Sequence, residues 1–471
     1  MKTRLGVRWP LALPAALALG AGLWLGAARG SDRAEFDLAP APRPLDEVRA
    51  AKMADLAAAA ERVRGLKLKQ QPPWTVKSPQ EVYGFFLRAV QAEAKPREIA
   101  LATRIYAAFG FWRPDFDLLG AQLEATSGAV RAFYNNNEGN FTLVRAAGKA
   151  GSSRGADIQE DAEIVHEYTH ALQSQNGMMA GLRMTGGNDR AQAARALVEG
   201  DAVLTMCAYA AGRVAGPEAE TSLARIAPYL KTIQRGMAGM LQSPMFKKHP
   251  PIIGTTLVFS YTGGSSFAEA AYQQGGWAEL NRCYQAPPVS TEQIIHPDKY
   301  FRPVPEDPLE IEAPDLNAAL LPAARIIDVD RLGEMEITVL LAGYVAQAEA
   351  RRAAEGWGGD LYAAFERTAG AQKGEIVLAW VTAWDTENDA KEFFDAYARA
   401  LDKKCGAARQ TLKDGLVLDW RGPSAKREAR LELRGSAVLS IEGADAAETE
   451  PLAKSFWALK RSPPKPRQRQ P

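Results

Sequence analysis

Histidine and cysteine are both scarce in this chain, which has four histidines and three cysteines among 471 residues. Cys207, Cys283 and Cys405 are odd in number and widely spaced, so they indicate neither a disulfide framework nor a zinc knuckle. The chain also lacks an excess of charge of one sign: it has 57 basic and 56 acidic residues, and its net charge is +1. This balance predicts no nucleic-acid partner and gives no reason to expect an acidic substrate.

The N-terminus has the pattern of an export signal. Three basic residues in "MKTRLGVRW" precede an apolar run from Trp9 to Ala28, and Ala28-Arg29-Gly30 offers small residues at the positions that a signal peptidase reads. The run is also just long enough to span a bilayer. We therefore expect a protein that is secreted to the periplasm or the exterior, or anchored to the cell membrane by its N-terminus. The pattern leaves both fates open.

Helical patterns dominate the first part of the chain after this segment. An alanine-rich helix is predicted from Leu45 to Leu66, and "QQPPW" ends it. A second helix is expected to begin with Ser78 as N-cap and Pro79 at the first helical position. Two more are predicted at about 96–109 and 116–124.

The hydrophobic pattern then changes period. "VRAFYNNNEGNFTLV" places two short apolar runs around an Asn/Gly-rich centre, which predicts a β-hairpin at about 130–145. Helical patterns resume, and short strand-like runs occur near 416–420, 429–433 and 437–441. The tryptophans Trp357, Trp380 and Trp384 are interpreted as core residues, because clustered aromatics more often form a core than a binding platform.

These features predict an α+β protein that is mainly α. We expect a central region of helices and one hairpin between an N-terminal helical region and a C-terminal helical and β region. The chain is divided into these parts: 1–30, signal peptide or membrane anchor; 31–44, linker; 45–125, N-terminal helical region; 126–303, central domain; 304–461, C-terminal α+β region; and 462–471, a basic disordered tail.

Two of the four histidines occur in the stretch "VHEYTH". On a helix, His166 and His170 are four residues apart and project side by side, so both imidazoles can reach one cation. Glu167 follows the first histidine, where it can reach a metal-activated water without binding the metal. This is the HExxH arrangement of zinc metalloproteases. A catalytic zinc usually has three protein ligands, so a third is required from elsewhere.

Glu199 is the predicted third ligand. It lies in "NDRAQAARALVEGDAVLTMCAYAAG", a helix expected to begin with a capping box of Asp189 and Gln192. Its apolar neighbours leave the carboxylate in need of a cation or a hydrogen-bond donor. The alternative is an i,i+4 pair with Arg195, in the less favourable orientation. Gly200 weakens the helix, which would be explained by close packing against the helix of the histidines.

The motifs "HEYTHALQSQ" and "ALVEGDA" together resemble the gluzincin group of zinc metallopeptidases. They look closest to a poorly characterised prokaryotic family that also carries a segment similar to "STEQIIHPDKY". This resemblance implies that residues 126–303 form the catalytic domain, with a zincin-like metallopeptidase core. It also implies one zinc ion held by His166, His170 and Glu199, with Glu167 as general base. It also implies that the hairpin lies over the cleft and can pair with an extended peptide.

One position departs from the gluzincin pattern. Many gluzincins have an acid four residues after the glutamate ligand, to orient a histidine, and here that position is Val203. Asp201 is the candidate replacement as outer-shell partner.

The expected chemistry is hydrolysis of a peptide bond in a peptide or protein substrate. Zinc would activate the attacking water, and Glu167 would take its proton and pass it to the leaving nitrogen. Candidate donors to the oxyanion are Tyr261, which precedes a glycine pair expected to be flexible, His296 and Tyr300. Two alternatives stay open: a zinc hydrolase acting on other acyl groups, and an envelope binding or scaffold protein whose zinc site is structural or vestigial.

Overall fold

A computed structural model describes residues 47–93, 95–135, 138–144, 154–182, 188–312, 321, 323–412, 415–422 and 425–464. Helix far exceeds strand, which confirms the predicted α+β class with mainly helices. The predicted signal or anchor, the linker and residues 465–471 of the predicted tail lie outside the described residues. No helix within the described part of the chain is long and apolar enough to cross a membrane.

Helices of the N-terminal region occur where they were predicted. They are α1 (Glu47–Arg64), α2 (Pro79–Glu93), α3 (Pro96–Phe109) and α4 (Leu118–Ala129). Ser78 is confirmed as the N-cap of α2, because its Oγ accepts from the Glu81 amide at 3.3 Å and its own amide donates to the Glu81 carboxylate at 2.7 Å. Phe109 at the end of α3 packs edge-on against Tyr362 and Trp380, so this region shares a core with the C-terminal part.

The predicted hairpin is confirmed, and it belongs to a three-stranded sheet. Strands β2 (Ala132–Asn135) and β3 (Asn140–Val144) pair antiparallel, with Asn135 opposite Asn140. Strand β1 (Trp74–Lys77), which the sequence pattern did not predict, pairs with β3 in parallel. The strand order β1-β3-β2 leaves β2 at one edge of this sheet.

A helical layer packs against this sheet and carries the HExxH stretch. Its helices are α5 (Arg154–Gln175), α6 (Asn188–Ala215), α7 (Leu223–Met240), α8 (Pro244–Lys247), α9 (Pro251–Gln285, interrupted at Gly275 and Gly276), α10 (Thr291–Ile295) and α11 (Pro297–Phe301).

Two glycines allow α6 and α9 to approach closely. A Cβ at Gly200 would lie 2.0 Å from the Gly264 carbonyl oxygen, and one at Gly264 would lie 2.1 Å from that of Ala196. The expectation that Gly200 accommodates the HExxH helix was therefore wrong, since its close neighbour is α9. The glycine pair after Tyr261 is likewise not a flexible loop but part of helix α9, in which the contact of Gly264 with α6 requires glycine.

The C-terminal region is built on a seven-stranded sheet. Its strands are β5 (Ala324–Asp330), β6 (Trp357–Arg367), β7 (Ile376–Trp384), β8 (Gln410–Leu412), β9 (Val417–Trp420), β10 (Ala429–Arg434) and β11 (Ala437–Glu442). They lie in the order β5-β6-β7-β11-β10-β9-β8, and all neighbours are antiparallel. Helices α12 (Gly333–Ala342), α13 (Gln347–Ala354), α14 (Glu387–Cys405) and α15 (Ala446–Trp457) accompany it.

The sequence located β9 to β11 but missed the central strands. Every residue of β7 is buried, so the strand is covered on both faces and lacks the alternation that marks a half-exposed strand. Trp357, Trp380 and Trp384 are confirmed as core residues, each at most 3% exposed.

The tail begins later than predicted. Ser462 lies in the short strand β12 (Arg461–Ser462), which pairs with β4 (Glu310–Ile311). Ser462 is therefore ordered by backbone pairing, so the predicted start of a disordered tail at 462 was wrong.

Asp189 joins the start of α6 to the start of α10 rather than capping its own helix. It lies inside α6, and its Oδ1 accepts from the backbone amide of Thr291 at 2.9 Å and from the Thr291 hydroxyl. The predicted capping box was therefore wrong. Burial raises the pKa of the Asp189 carboxyl to about 7 despite these hydrogen bonds.

Asp189→Asn should stabilise the fold at alkaline pH. An aspartate in the unfolded chain ionises near pH ~4, so the unfolded state loses its proton first and stability falls as pH rises from ~4 to ~7. Asparagine keeps an oxygen acceptor for Thr291 but cannot ionise. Urea unfolding should give a gain on the order of a few kcal/mol at about pH 8 and little change at about pH 4. The same change at exposed Asp298 is the control, and an equal effect at both pH values would refute the assignment.

Candidate metal centre

His166 and His170 converge as their spacing predicts. Both project from one face of α5, and their Nε2 atoms are 3.1 Å apart. The opposite face, with Val165, Thr169 and Leu172, is buried in the core and fixes the helix. Burial lowers the pKa of His166, which favours the neutral imidazole that metal coordination needs.

Glu199 reaches the same point from α6. Its Oε2 lies 3.3 Å from Nε2 of His166 and 3.6 Å from Nε2 of His170, and the side chain is fully buried. Neither carboxylate oxygen has a hydrogen-bond partner of ordinary geometry in the described part of the chain. Burial raises the pKa of this carboxyl, but the close approach of His170 and His166 lowers it by a larger amount, so the net shift is downward. The carboxylate is thus ionised and buried, and the polar groups close to it are the two imidazoles and the Tyr261 hydroxyl.

The alternative pairing with Arg195 is not observed. The Arg195 Nε donates to Gln192 Oε1 at 3.3 Å, within the same helix. A hydrogen bond between the two imidazoles would explain their own approach, but it would leave the Glu199 carboxylate without a cation in direct contact, since Arg195 acts on it only at longer range. Burying an ionised carboxylate without such a partner destabilises the folded state by several kcal/mol or more. A bound cation is therefore the simplest explanation for the position of Glu199.

The spacing of the three ligand atoms fits zinc. Tetrahedral zinc with arms of about 2.0–2.1 Å separates neighbouring ligand atoms by about 3.3–3.4 Å. The separations here are 3.1, 3.3 and 3.6 Å. Two imidazole nitrogens and one carboxylate oxygen are also a donor set that zinc uses at catalytic sites, where a fourth position is left open.

Gln173, which the sequence analysis missed, sets the tautomer of His170. Its amide nitrogen donates to the Val198 carbonyl and to Asp201 Oδ2, each at 3.0 Å, and both partners are acceptors only. The amide oxygen must therefore face Nδ1 of His170, at 2.8 Å, and that nitrogen must carry the proton. The Nε2 of His170 is left with a free lone pair directed at Glu199, which is the form that binds a metal.

Asp201 is linked to His170 indirectly, through the side chain of Gln173. Its Oδ2 accepts from Gln173 and, at 2.8 Å, from the Tyr284 hydroxyl, but it does not contact either imidazole. The candidate outer-shell acid is therefore present, with an intervening amide. No spacing rule would have found Gln173, although it lies three residues after His170 on the same helix face.

Glu167 lies beside the three ligands and holds the edge strand. Its Oε2 accepts from the Tyr134 amide in β2 at 3.0 Å, and the side chain is almost wholly buried. Burial and then the charge of Glu199 raise the pKa of its carboxyl, and the Tyr134 amide offsets this only in part. Its environment therefore favours holding a proton, in contrast to Glu199.

The structure brings one of the three candidate donors to the site. The ring of Tyr261 stacks on His166 with 6.0 Å between centroids, and burial followed by the charges of Glu199 and Glu167 raises the pKa of its phenol. Tyr300 is fully buried, and its hydroxyl donates to the Ala286 carbonyl at 2.7 Å. Tyr300 is therefore a core tyrosine.

His296 is held elsewhere. Its Nε2 is 2.9 Å from Glu334 Oε1, and hydrogen bonding to Glu334 raises its pKa. The charged groups that shift it are Glu334, Lys299 and Glu355, none of which is a candidate metal ligand. The prediction that His296 serves the reaction therefore finds no support in the contacts of the described residues.

The "STEQIIHPDKY" segment takes part in a cluster of three carboxylates around Lys299, which is separate from the three candidate ligands. Glu292, Glu306 and Asp385 are close enough to share a metal ion, but the Nζ of Lys299 already binds them at 2.6, 2.9 and 2.7 Å. The lysine supplies the positive charge, and Asp385 follows β7 of the C-terminal sheet. This segment therefore fastens the helical layer to that sheet.

Comparison with known proteins bears on the C-terminal region alone. A family model described as a domain of unknown function (DUF8575) matches residues 324–453, which contain the seven-stranded sheet and none of the three candidate ligands. No curated protein and no solved structure matches the chain.

Glu199→Gln should abolish stable zinc binding, because the site loses both its third ligand and the negative charge that compensates the cation. Elemental analysis of dialysed protein should give about one zinc per wild-type chain and far less for the variant. Glu306→Gln is the control, since it removes a carboxylate from the Lys299 group and should leave zinc content unchanged. Equal loss in both variants, or in neither, would contradict the assignment of Glu199.

Proposed function

We propose that this chain is a zinc-dependent metallopeptidase of the gluzincin type, with His166, His170 and Glu199 as the ligands of one zinc ion. The observation that carries the proposal is the buried carboxylate of Glu199, which faces the Nε2 atoms of two imidazoles and has no hydrogen-bond partner of ordinary geometry in the described part of the chain. A site with three protein ligands and a neighbouring carboxylate suits catalysis better than structure, because structural zinc sites are closed by four ligands.

Zinc at this position supplies a Lewis acid that makes water nucleophilic near neutral pH. Glu167 is the proton carrier: its carboxylate accepts a proton from the attacking water and delivers it to the departing amide nitrogen. The hydrogen bond from the Tyr134 amide keeps the carboxylate oriented throughout. Burial, which raises its pKa, favours retention of the proton until the nitrogen can take it.

Tyr261 is the proposed donor to the oxyanion. Its ring is fixed against His166, and its high phenol pKa keeps the hydroxyl protonated and able to donate. The helix contact at Gly200 and Gly264 supports this placement, since it fixes α9 against the helix that carries Glu199.

The edge of β2 supports a peptide as the substrate. Only one side of β2 pairs with β3, and the Tyr134 amide points to the other side, where Glu167 lies. An extended peptide that adds to this edge at residues other than Tyr134, whose amide is bound by Glu167, would pass beside the proton carrier. The export pattern of residues 1–30 further suggests action outside the cytoplasm or at the membrane.

Glu167→Gln should remove peptidase activity and retain zinc. Glutamine preserves the side-chain shape but cannot carry the proton, and general-base catalysis typically contributes about 10²–10⁴-fold. A fall of that size in kcat/KM on a quenched-fluorescence peptide library, with unchanged zinc content, is expected. Glu163→Gln, one turn earlier on α5, is the matched control. If the Glu167 variant cleaves as fast as wild type while binding zinc, this mechanism is wrong.

Tyr261→Phe should lower kcat with little change in KM, because the hydroxyl acts on charge that develops only in the transition state. Loss of one such donor costs about 10²–10³-fold in kcat. Tyr272→Phe, on the same helix with its hydroxyl on the Thr221 carbonyl, is the control. A changed KM with unchanged kcat would instead assign Tyr261 to substrate binding.

A further inference from the structure

Arg64, the last residue of α1, reaches into the interior beneath the candidate metal centre. Its Nε donates to Asp201 Oδ1 at 2.6 Å and its Nη2 to Asp201 Oδ2 at 3.2 Å, and both side chains are fully buried. The same Nη2 donates to Asn281 Oδ1 at 2.7 Å, and the guanidinium lies over the ring of Trp277. This arginine is therefore fixed by contacts with both α6 and α9.

The ion pair continues as a chain of hydrogen bonds to a candidate ligand. Asp201 Oδ2 accepts from the amide nitrogen of Gln173, whose oxygen accepts from Nδ1 of His170. Every member of this chain is buried. The direction of each hydrogen bond is fixed, because the arginine can only donate and the carboxylate can only accept.

We propose that Arg64 is a positioning residue of the metal centre, acting on His170 through Asp201 and Gln173. The inference rests on the zinc site of the proposed function. The planar fork of the guanidinium sets the orientation of the Asp201 carboxylate, so that Oδ2 is directed at Gln173. Gln173 then presents its oxygen to Nδ1 of His170, which leaves Nε2 free for the metal.

This role makes α1 a structural part of the candidate metal centre. The segment after α1 is also tied to the HExxH helix, since the Gln175 side chain binds the backbone of Lys69 and Gln70, and the Trp74 indole donates to the Tyr168 hydroxyl. Residues 69–74 are thus hydrogen-bonded to side chains of α5. Proteolytic removal of α1 would take away the only cation bound to Asp201 in the described structure, so α1 is not a discardable inhibitory segment.

The test measures zinc affinity of the full chain by competition with a chromophoric chelator. Arg64→Lys keeps the charge but loses the fork, and it should weaken zinc binding about 10–100-fold, the usual effect of losing an outer-shell partner. Arg62→Lys is the matched control, because Arg62 lies on the same helix and forms a similar two-pronged pair with Glu220. Its zinc affinity should equal that of the wild type.

A double variant separates the chain of contacts from general destabilisation. Gln173→Ala interrupts the chain, so adding Arg64→Lys to it should weaken zinc binding no further. Tyr284→Phe loosens Asp201 without leaving it unpaired, and it should weaken zinc binding even if Arg64→Lys fails to fold. Circular dichroism of each metal-free variant reports folding independently.

Additive effects of the two changes, or equal weakening by Arg62→Lys, would overturn the role of Arg64. Retained zinc affinity in Tyr284→Phe would also count against it. A wild-type chain that binds no zinc would overturn this inference together with the metal centre. Zinc binding with the predicted coupling but no peptide cleavage would overturn the peptidase proposal alone.

Discussion

A carboxylate buried against two imidazole nitrogens, with no hydrogen-bond partner of ordinary geometry among the described residues, is the constraint on which the rest of this structure depends. Glu199, His166 and His170 direct three ligand atoms at one point, with separations of 3.1 to 3.6 Å. Such an arrangement is unfavourable in a low-dielectric interior unless a cation occupies it. The surrounding helices can be understood as the means by which these three atoms are kept together.

That support comes from distant parts of the chain. Glycines at Gly200 and Gly264 let two helices meet at backbone distance, which sets the depth of Glu199. Arg64 acts from the N-terminal helix, while Lys299 binds acids of both the helical layer and the turn after a central strand of the C-terminal sheet. The centre therefore depends on contacts well outside the segment between the histidines and the glutamate.

The sequence predicted what depends on local spacing and missed what depends on distant partners. His166 and His170 were placed together by the helical repeat, and the hairpin by its Asn/Gly-rich turn. Gln173 could not be assigned, because its role requires Asp201, on another helix. The "STEQIIHPDKY" segment suggested a catalytic His296, yet its charged residues are used in ion pairs with Glu334 and Asp385. The central strands β6 and β7 lacked alternation because both faces are covered.

Anomalous diffraction at the zinc absorption edge, from crystals of the full chain grown with zinc, tests the central claim most directly. The account predicts one strong anomalous peak at about 2.0–2.1 Å from Nε2 of His166, Nε2 of His170 and a carboxylate oxygen of Glu199. A peak at another cluster with none here, or Glu199 hydrogen-bonded to a donor and turned away from the two imidazoles, would contradict it.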